Sequence, residues 1–171
     1  MRKYMKNYQE WYDHIAGKIK NEPFLLSLLR TFNRFMTAVM PMIYLTLLAT
    51  TYFQEGLGKQ VLIYVCIPAS GFVILSFLRK KINAPRPYEE WTIKPLLDRD
   101  SPGQSMPSRH VFSATIISMA CLHASLSVGV ILLVLSAFLG LVRVLGGVHY
   151  PKDVVVGYIC GLVWGVILFL C

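Results

Sequence analysis

Three short stretches of this sequence carry residues that could do chemistry together. The first is RKKINAPRP, residues 79–87, with Arg79, Lys80, Lys81 and Arg86. The second is PSRH, residues 107–110, which sets Ser108, Arg109 and His110 hard against an apolar run opening at Val111. The third is RVLGGVHYPKD, residues 143–153, with Arg143, His149 and Asp153. Several guanidiniums gathered in one place suit a tetrahedral oxyanion such as phosphate, because each is a planar fork of donors with a permanent charge. Ser108 and nearby backbone N–H groups at a helix start could add donors, and the helix dipole there also favours an anion.

His149 and Asp153 are four residues apart, with Pro151 between them. Proline is favoured in the first turn of a helix, so a helix is expected to open here with Asp153 facing back toward His149. A carboxylate at one imidazole nitrogen fixes the tautomer and leaves the other nitrogen free to attack. His110, on another element, could donate the proton, since two imidazoles in different environments can divide the roles of nucleophile and acid. Gly146 and Gly147 let the chain bend tightly between Arg143 and His149. A metal held by His110, His149 and Asp153 is the weaker alternative: the surrounding arginines repel a cation, and there is no carboxylate cluster to hold one. No cofactor is expected.

These residues need a scaffold, and the composition says which kind. Of the 171 residues, 55% are hydrophobic and only 15% charged, which points to a polytopic membrane protein of one domain, residues 1–171. The net charge of +8 then reads as a preference for anionic head groups or an anionic substrate rather than nucleic acid. The expected fold is all-α, a membrane bundle of about five transmembrane helices. Apolar runs at 32–53, 60–78, two within 111–147 and one at 153–171 supply the spans, with a kink expected near Pro68 and Gly71. The 111–147 run would be about 55 Å long as a single helix, so it must turn, most simply near HASLS at 123–127. Gly157, Gly161 and Gly165 form a small-residue stripe suited to close helix packing.

Residues 4–21 place Tyr4, Tyr8, Trp11, Tyr12, Ile15 and Ile19 at helical spacing between charges. That pattern fits an amphipathic helix in the membrane interface, with residues 1–30 as its region, or equally a helix packed on the protein's own polar rim. His14 is expected to be solvated and His123 structural. Cys66, Cys121, Cys160 and Cys171 read as buried small hydrophobes rather than as disulfides or metal ligands. Lys81, Lys94 and Arg99 read as anchors at the membrane surface. The loops at 79–110 and 147–153 are separated by two crossings and therefore share one side, which is what would bring the three stretches together.

The order and spacing of those stretches resemble the type 2 phosphatidic-acid phosphatase superfamily, which also holds bacterial acid phosphatases and vanadium haloperoxidases. That family carries a Lys, six residues, then Arg-Pro; then Pro-Ser-Gly-His; then Ser-Arg, five residues, His, three residues, Asp. Here the same pattern reads Arg79 with Arg86-Pro87, then Pro107-Ser108-Arg109-His110, then Arg143, His149 and Asp153. Three positions depart from it: Arg79 stands at the family lysine with Lys80 beside it, Arg109 stands at the glycine, and Val142 stands at the serine.

The resemblance implies a metal-independent lipid phosphatase. His149 would form a phosphohistidine, Asp153 would orient it, and His110 would protonate the leaving oxygen and then activate water. Arg79 or Lys80, Arg86, Ser108, Arg109 and Arg143 would hold the phosphate. The implied substrates are undecaprenyl pyrophosphate, phosphatidylglycerol phosphate or phosphatidic acid. The departures at 79, 109 and 142 also fit an alternative, a transporter or scaffold that binds anionic lipid at a degenerate site. Of seventeen Lys and Arg residues only Lys59 falls opposite the motif loops, so the positive-inside rule alone would make the motif face cytoplasmic. The resemblance implies a multi-pass cell-membrane protein with an extracytoplasmic site, and the expectation follows it because phosphate binding accounts for several of these cations.

Overall fold

The computed structural model describes residues 2–100 and 102–171, the side chains of residues 2–7 excepted, so Tyr4 of the aromatic stripe lies outside the described side chains. Among the described residues seven α-helices follow one another: α1 (Arg2–Asn21), α2 (Pro23–Glu55), α3 (Lys59–Ile82), the single turn α4 (Pro87–Glu90), α5 (Arg109–Ala124), α6 (Leu126–Leu145) and α7 (Pro151–Val166). The fold is an all-α bundle, as expected. The helices beginning at Pro23, Lys59, Leu126 and Pro151 are long and apolar enough to cross a membrane.

The remaining predicted crossing, α5, has only 16 residues, about 24 Å. It is the centre of the bundle and packs against α2, α3, α6 and α7. Its residues from Val111 to Cys121 are buried except Ser113, which is half-buried. Enclosed over most of its surface by protein, α5 leaves a narrow strip at Arg109, His110 and Ser113 uncovered and need not match the length of the hydrocarbon. Its polar side chains are satisfied internally: Thr115 donates to the Val111 carbonyl at 2.8 Å, and Ser118 meets Ser136 of α6 at 3.0 Å.

The glycine stripe of α7 lies along α5. A Cβ at Gly157 would stand 2.7 Å from the Ser108 carbonyl oxygen, one at Gly161 would stand 2.6 Å from Thr115 Cβ, and one at Gly165 would stand 2.5 Å from Met119 Cβ. Hydrogen at these three positions lets the two helices approach closely along α5 from Ser108 to Met119, and Gly157 does so at the end that carries Ser108. Gly71 plays the same part on α3, where a Cβ would meet Trp164 at 2.6 Å. The helix runs on through Pro68 and Gly71 to Ile82.

Several expectations shift. Residues 23–30 belong to α2 rather than to the N-terminal helix. The aromatic face of α1 is used by the protein itself: Tyr12 and Ala16 are buried against Ile93 and Leu96, with Tyr8, Tyr88 and Trp91 around them. Of the two placements, the contacts match a helix packed on the protein's own polar rim, with Tyr12 and Ala16 against the loop between α3 and α5. Trp11 alone of the large aromatics in the described part of α1 is exposed. Of the four free cysteines only Cys121 is buried and Cys160 half-buried, while Cys66 and Cys171 are exposed on the outer surface of the bundle. His14 is exposed, and His123 pairs with the Tyr64 hydroxyl at 2.9 Å, a structural role.

Gly161→Leu is expected to lower stability by about 3 kcal/mol, since the α5–α7 seam has no room for the side chain. Thermal unfolding of the detergent-solubilised protein checks this, and Ile159→Leu on the exposed face of α7 is expected to change it little.

Candidate functional site

The three motif stretches converge at one end of the bundle. Arg79 ends α3, Arg86 caps α4, Ser108 caps α5 and His110 lies in its first turn, Arg143 ends α6, and His149 precedes α7. A cavity of about 120 Å³ opens among Arg79, Arg86, Asp100, Gln104, Arg109, His110 and His149.

Local sequence explains how each group is held. Arg86 is extended because Pro87 follows it, and its N–H donates to Glu89 Oε2 at 2.6 Å. Glu89 also accepts from the Gly103 N–H at 2.9 Å, which folds the loop back over Arg86. Gly103 adopts a φ of 65°, in the left-handed region that glycine tolerates. Leu96 and Leu97 donate to the Gly146 carbonyl at 3.0 and 3.3 Å, pinning the same loop to the turn before His149. Gly147, at φ 74°, makes that turn. Arg79 donates to the Pro107 carbonyl, tying α3 to the PSRH stretch. The Ser108 N–H donates to the Asp153 carbonyl at 2.9 Å, which joins α5 to the start of α7.

Arg79, Arg86 and Arg143 are each 5% exposed or less. Cations this deep need a counter-charge, and Asp100 supplies it. Its Oδ2 lies 2.7 Å from Arg86 Nη1 and also bonds Arg143 Nη2. Burial alone would raise this carboxyl, but Arg143 and Arg86 outweigh burial and hold it below the usual carboxylate range.

Asp153 is fully buried in the first turn of α7, as its spacing from His149 predicts. The direct separation, His149 Nδ1 to Asp153 Oδ2, is 3.7 Å, longer than a hydrogen bond. The Ser105 hydroxyl fills in between: it donates to Asp153 Oδ2 at 2.5 Å and lies 3.3 Å from His149 Nδ1. The Tyr150 N–H also donates to Asp153 Oδ2, at 3.0 Å. The carboxylate therefore orients the imidazole as part of a buried network, leaving the opposite ring edge toward the cavity. Burial pushes the His149 imidazole down to about 4; the nearby Asp153 carboxylate opposes this, and Arg143 and Arg86 add to it. The ring is neutral at pH 7, the state a nitrogen nucleophile requires.

The predicted residues divide as follows. Arg79, Arg86, Arg109, His110 and His149 line the cavity together. Asp153 stands behind His149. Arg143 reaches the site through Asp100 and lines an adjoining cavity of about 310 Å³ that also borders His110. The Ser108 hydroxyl is buried with no hydrogen-bond partner among the described residues, and Ser108 is not in the cavity wall. Lys80 is exposed and away from the cavity wall; of the two neighbouring candidates, Arg79 is the one the fold brings in. Asp100, Ser105 and Gln104 were not foreseen. Charge balance was the available signal for Asp100, since buried arginines demand a carboxylate. Nothing in its residue type singled out Ser105.

An aromatic group seals the rim. The Tyr8 ring is 4.9 Å from that of Tyr150, and Trp91 Nε1 donates to the Tyr150 hydroxyl at 2.9 Å. The Tyr150 hydroxyl in turn donates to Glu90.

The model of the PAP2 superfamily matches residues 60–171. Undecaprenyl-diphosphatase BcrC of Bacillus subtilis (strain 168) is 27% identical over 126 residues, a stretch covering 73% of this chain; the chain spans 65% of that relative's length. Among solved structures, Aquifex aeolicus LpxE superposes with a TM-score of 0.74 at 22% identity, over 95% of this chain and 94% of that one. The first transmembrane PAP2 type phosphatidylglycerolphosphate phosphatase from Bacillus subtilis gives a TM-score of 0.71 at 20% identity, over 95% and 85%. These two likenesses establish the shared fold.

The imidazole of His149, followed by NMR in detergent micelles, is expected to titrate near pH 4 rather than 6.5. Asp153→Asn removes a group that favours the protonated ring, so the midpoint is expected to fall further. Because the unfolded chain binds this proton at about pH 6.5, the contribution of neutral His149 to stability is present above that pH and is lost as pH falls toward 4.

Proposed function

The chain belongs to the PAP2 superfamily, and on that premise we propose that it is a lipid phosphatase which removes a terminal phosphate from a membrane lipid through a phosphohistidine. The observation that carries this reading is the pairing of a neutral, oriented His149 with Arg79 and Arg86 across one small cavity. Phosphoryl transfer asks little covalent chemistry of a protein beyond positioning and charge stabilisation, and both are supported here.

In the proposed cycle the transferred phosphate enters between Arg79 and Arg86, with Arg109 at the edge of the cavity, exchanging with the Asp100 carboxylate for the arginine donors. The free nitrogen of His149 attacks phosphorus in line, and the bond to the lipid oxygen breaks. Burial and then Arg143 hold the His110 imidazole down to about 4; the negative charge of the entering phosphate raises it, and His110, which lines the same cavity, takes up a proton and donates it to that oxygen. Asp153 and Ser105 hold the ring while it carries positive charge. His110 then takes a proton from water, which attacks the phosphohistidine and releases inorganic phosphate. Arg143 and Ser108 support the site from behind it. The apolar bundle and the cationic mouth favour a substrate anchored in the bilayer, in line with the diphosphatase and phosphatase names of the relatives.

We place the cavity on the extracytoplasmic face of a multi-pass cell-membrane protein. Arg79, Arg86 and Arg143 are buried in the site, so they are poor topological signals, and the positive-inside count weakens accordingly. The exposed Lys152, three residues past His149, tests this: a cysteine there, in a protein whose own cysteines are replaced by serine, is expected to react with a membrane-impermeant maleimide in intact cells, and reaction only after lysis would reverse the orientation.

Purified protein is expected to release phosphate from lipid phosphates in mixed micelles, and EDTA is expected to leave the rate unchanged. His149→Ala is expected to lower turnover roughly 1,000-fold or more and His110→Ala roughly 100-fold. Full activity in His149→Ala would overturn the reading, and binding without turnover by the unaltered protein would favour an anionic-lipid scaffold.

A further inference from the structure

Arg109 stands where the family motif has glycine, and its position in the fold differs from that of the other cations in the site. Arg86 and Arg143 share the Asp100 carboxylate, and Arg79 is committed to the Pro107 carbonyl. Among the described residues, no carboxylate lies within ion-pair distance of Arg109; its guanidinium rests 6.0 Å from the centre of the Phe72 ring. It is exposed and free of a fixed charge partner.

Arg109 and His110 also border two spaces at once. Both line the polar cavity with His149. Both line an apolar groove of about 230 Å³, whose walls include Met36, Met40, Pro41, Phe72 and Leu139. The reacting phosphorus must lie beside His149 in the polar cavity. The lipid chain of the same molecule must leave through apolar surroundings, and this groove shares Arg109 and His110 with the wall of the cavity. Arg109 therefore sits at the junction, where the group linking the reacting phosphate to the chain has to pass.

Resting on the phosphatase reading above, we propose that Arg109 is a specificity-determining residue for lipid diphosphates, binding the inner phosphate while the terminal phosphate is transferred. In a lipid monophosphate the junction is crossed by a neutral ester oxygen and carbon, which offers a guanidinium nothing. In a diphosphate it is crossed by an anionic phosphate with several acceptor oxygens. The chemistry balances without another reactant. His149 bonds to the terminal phosphorus, the bridging P–O bond breaks, and its electron pair stays on the inner phosphate, which departs as the lipid monophosphate. Water then cleaves the phosphohistidine to inorganic phosphate. Negative charge grows on the inner phosphate as the bond breaks, so a fixed cation there favours the transition state more than the ground state.

The test compares kcat/KM for a polyprenyl diphosphate with that for the polyprenyl monophosphate of the same chain length. The substrates are presented in the same micelles to the unaltered protein, Arg109→Gly and Arg109→Lys. Arg109→Gly is expected to lower the diphosphate-to-monophosphate ratio roughly 10- to 100-fold. Arg109→Lys, which keeps the charge and loses the fork, is expected to fall between. Because the readout is a ratio within each protein, loss of folded protein moves both rates together and leaves it unchanged. A ratio in Arg109→Gly equal to that of the unaltered protein, with phosphate still released, overturns this inference and leaves the phosphatase reading intact. Release from neither lipid by the unaltered protein overturns both.

Discussion

Three buried arginines at one end of an apolar bundle repel one another, and the Asp100 carboxylate is what lets two of them stay. Its Oδ2 bonds both Arg86 and Arg143, which come from segments 57 positions apart in sequence, so one atom closes the site across the bundle. Removing such a charge from water is costly, and the two opposite charges offset that cost only because the geometry is tight. The loop carrying Asp100 is therefore not a tether between α3 and α5. It is held by Glu89 at one end and by the Gly146 carbonyl at the other, and both attachments aim the carboxylate at the guanidiniums.

The second constraint is the seam between α5 and α7. Three glycines let α7 settle against α5, and the same contact brings the Asp153 carbonyl to the Ser108 N–H. The helix that carries His110 and the turn that carries His149 are thus registered by packing in the apolar interior. A small displacement of this seam would misplace both histidines together. The α1 helix adds a further tie, since Tyr8 meets Tyr150, the neighbour of His149. A sequence pattern suited to lipid has been turned to bracing the rim of the site.

Much of this was legible in the residues alone. Hydropathy and length located the apolar helices, and counting them as crossings predicted that the two motif loops share one side, where the structure brings their residues together. Pro151 announced the start of α7, and the four-residue step from His149 set Asp153 facing it. Other parts had no such signature. A periodic aromatic stripe has the same appearance whether it meets lipid or protein, so the partner of α1 was open until Ile93 and Leu96 were found against it. A cysteine in an apolar run can face the core or the lipid, and Cys66 and Cys171 face outward. Adjacent Arg79 and Lys80 could not be told apart by spacing, because one residue of helix rotation, about 100°, decides which of them enters the bundle. Ser105 was hidden for a different reason: serine is common in loops, and only the 3.7 Å gap between His149 and Asp153 makes its hydroxyl matter.

The charges of the cavity explain why its histidine and its arginines belong together. The same burial and the same cations that favour an anion in the cavity disfavour a proton on His149, so the imidazole stays neutral at the pH where phosphate is charged. An arriving anion reverses part of that field: it pairs with the guanidiniums and makes a positively charged ring beside them less costly. In the proposed reaction, the positive charge on His149 thus appears only when the group that compensates it is present. Asp153 and Ser105 supply the other half of that compensation from the buried side of the ring. An anion that enters must also compete with Asp100 for Arg86, and a singly charged carboxylate does so on poor terms against one already fixed in place. A phosphate, with more charge and more acceptor oxygens, competes on better terms.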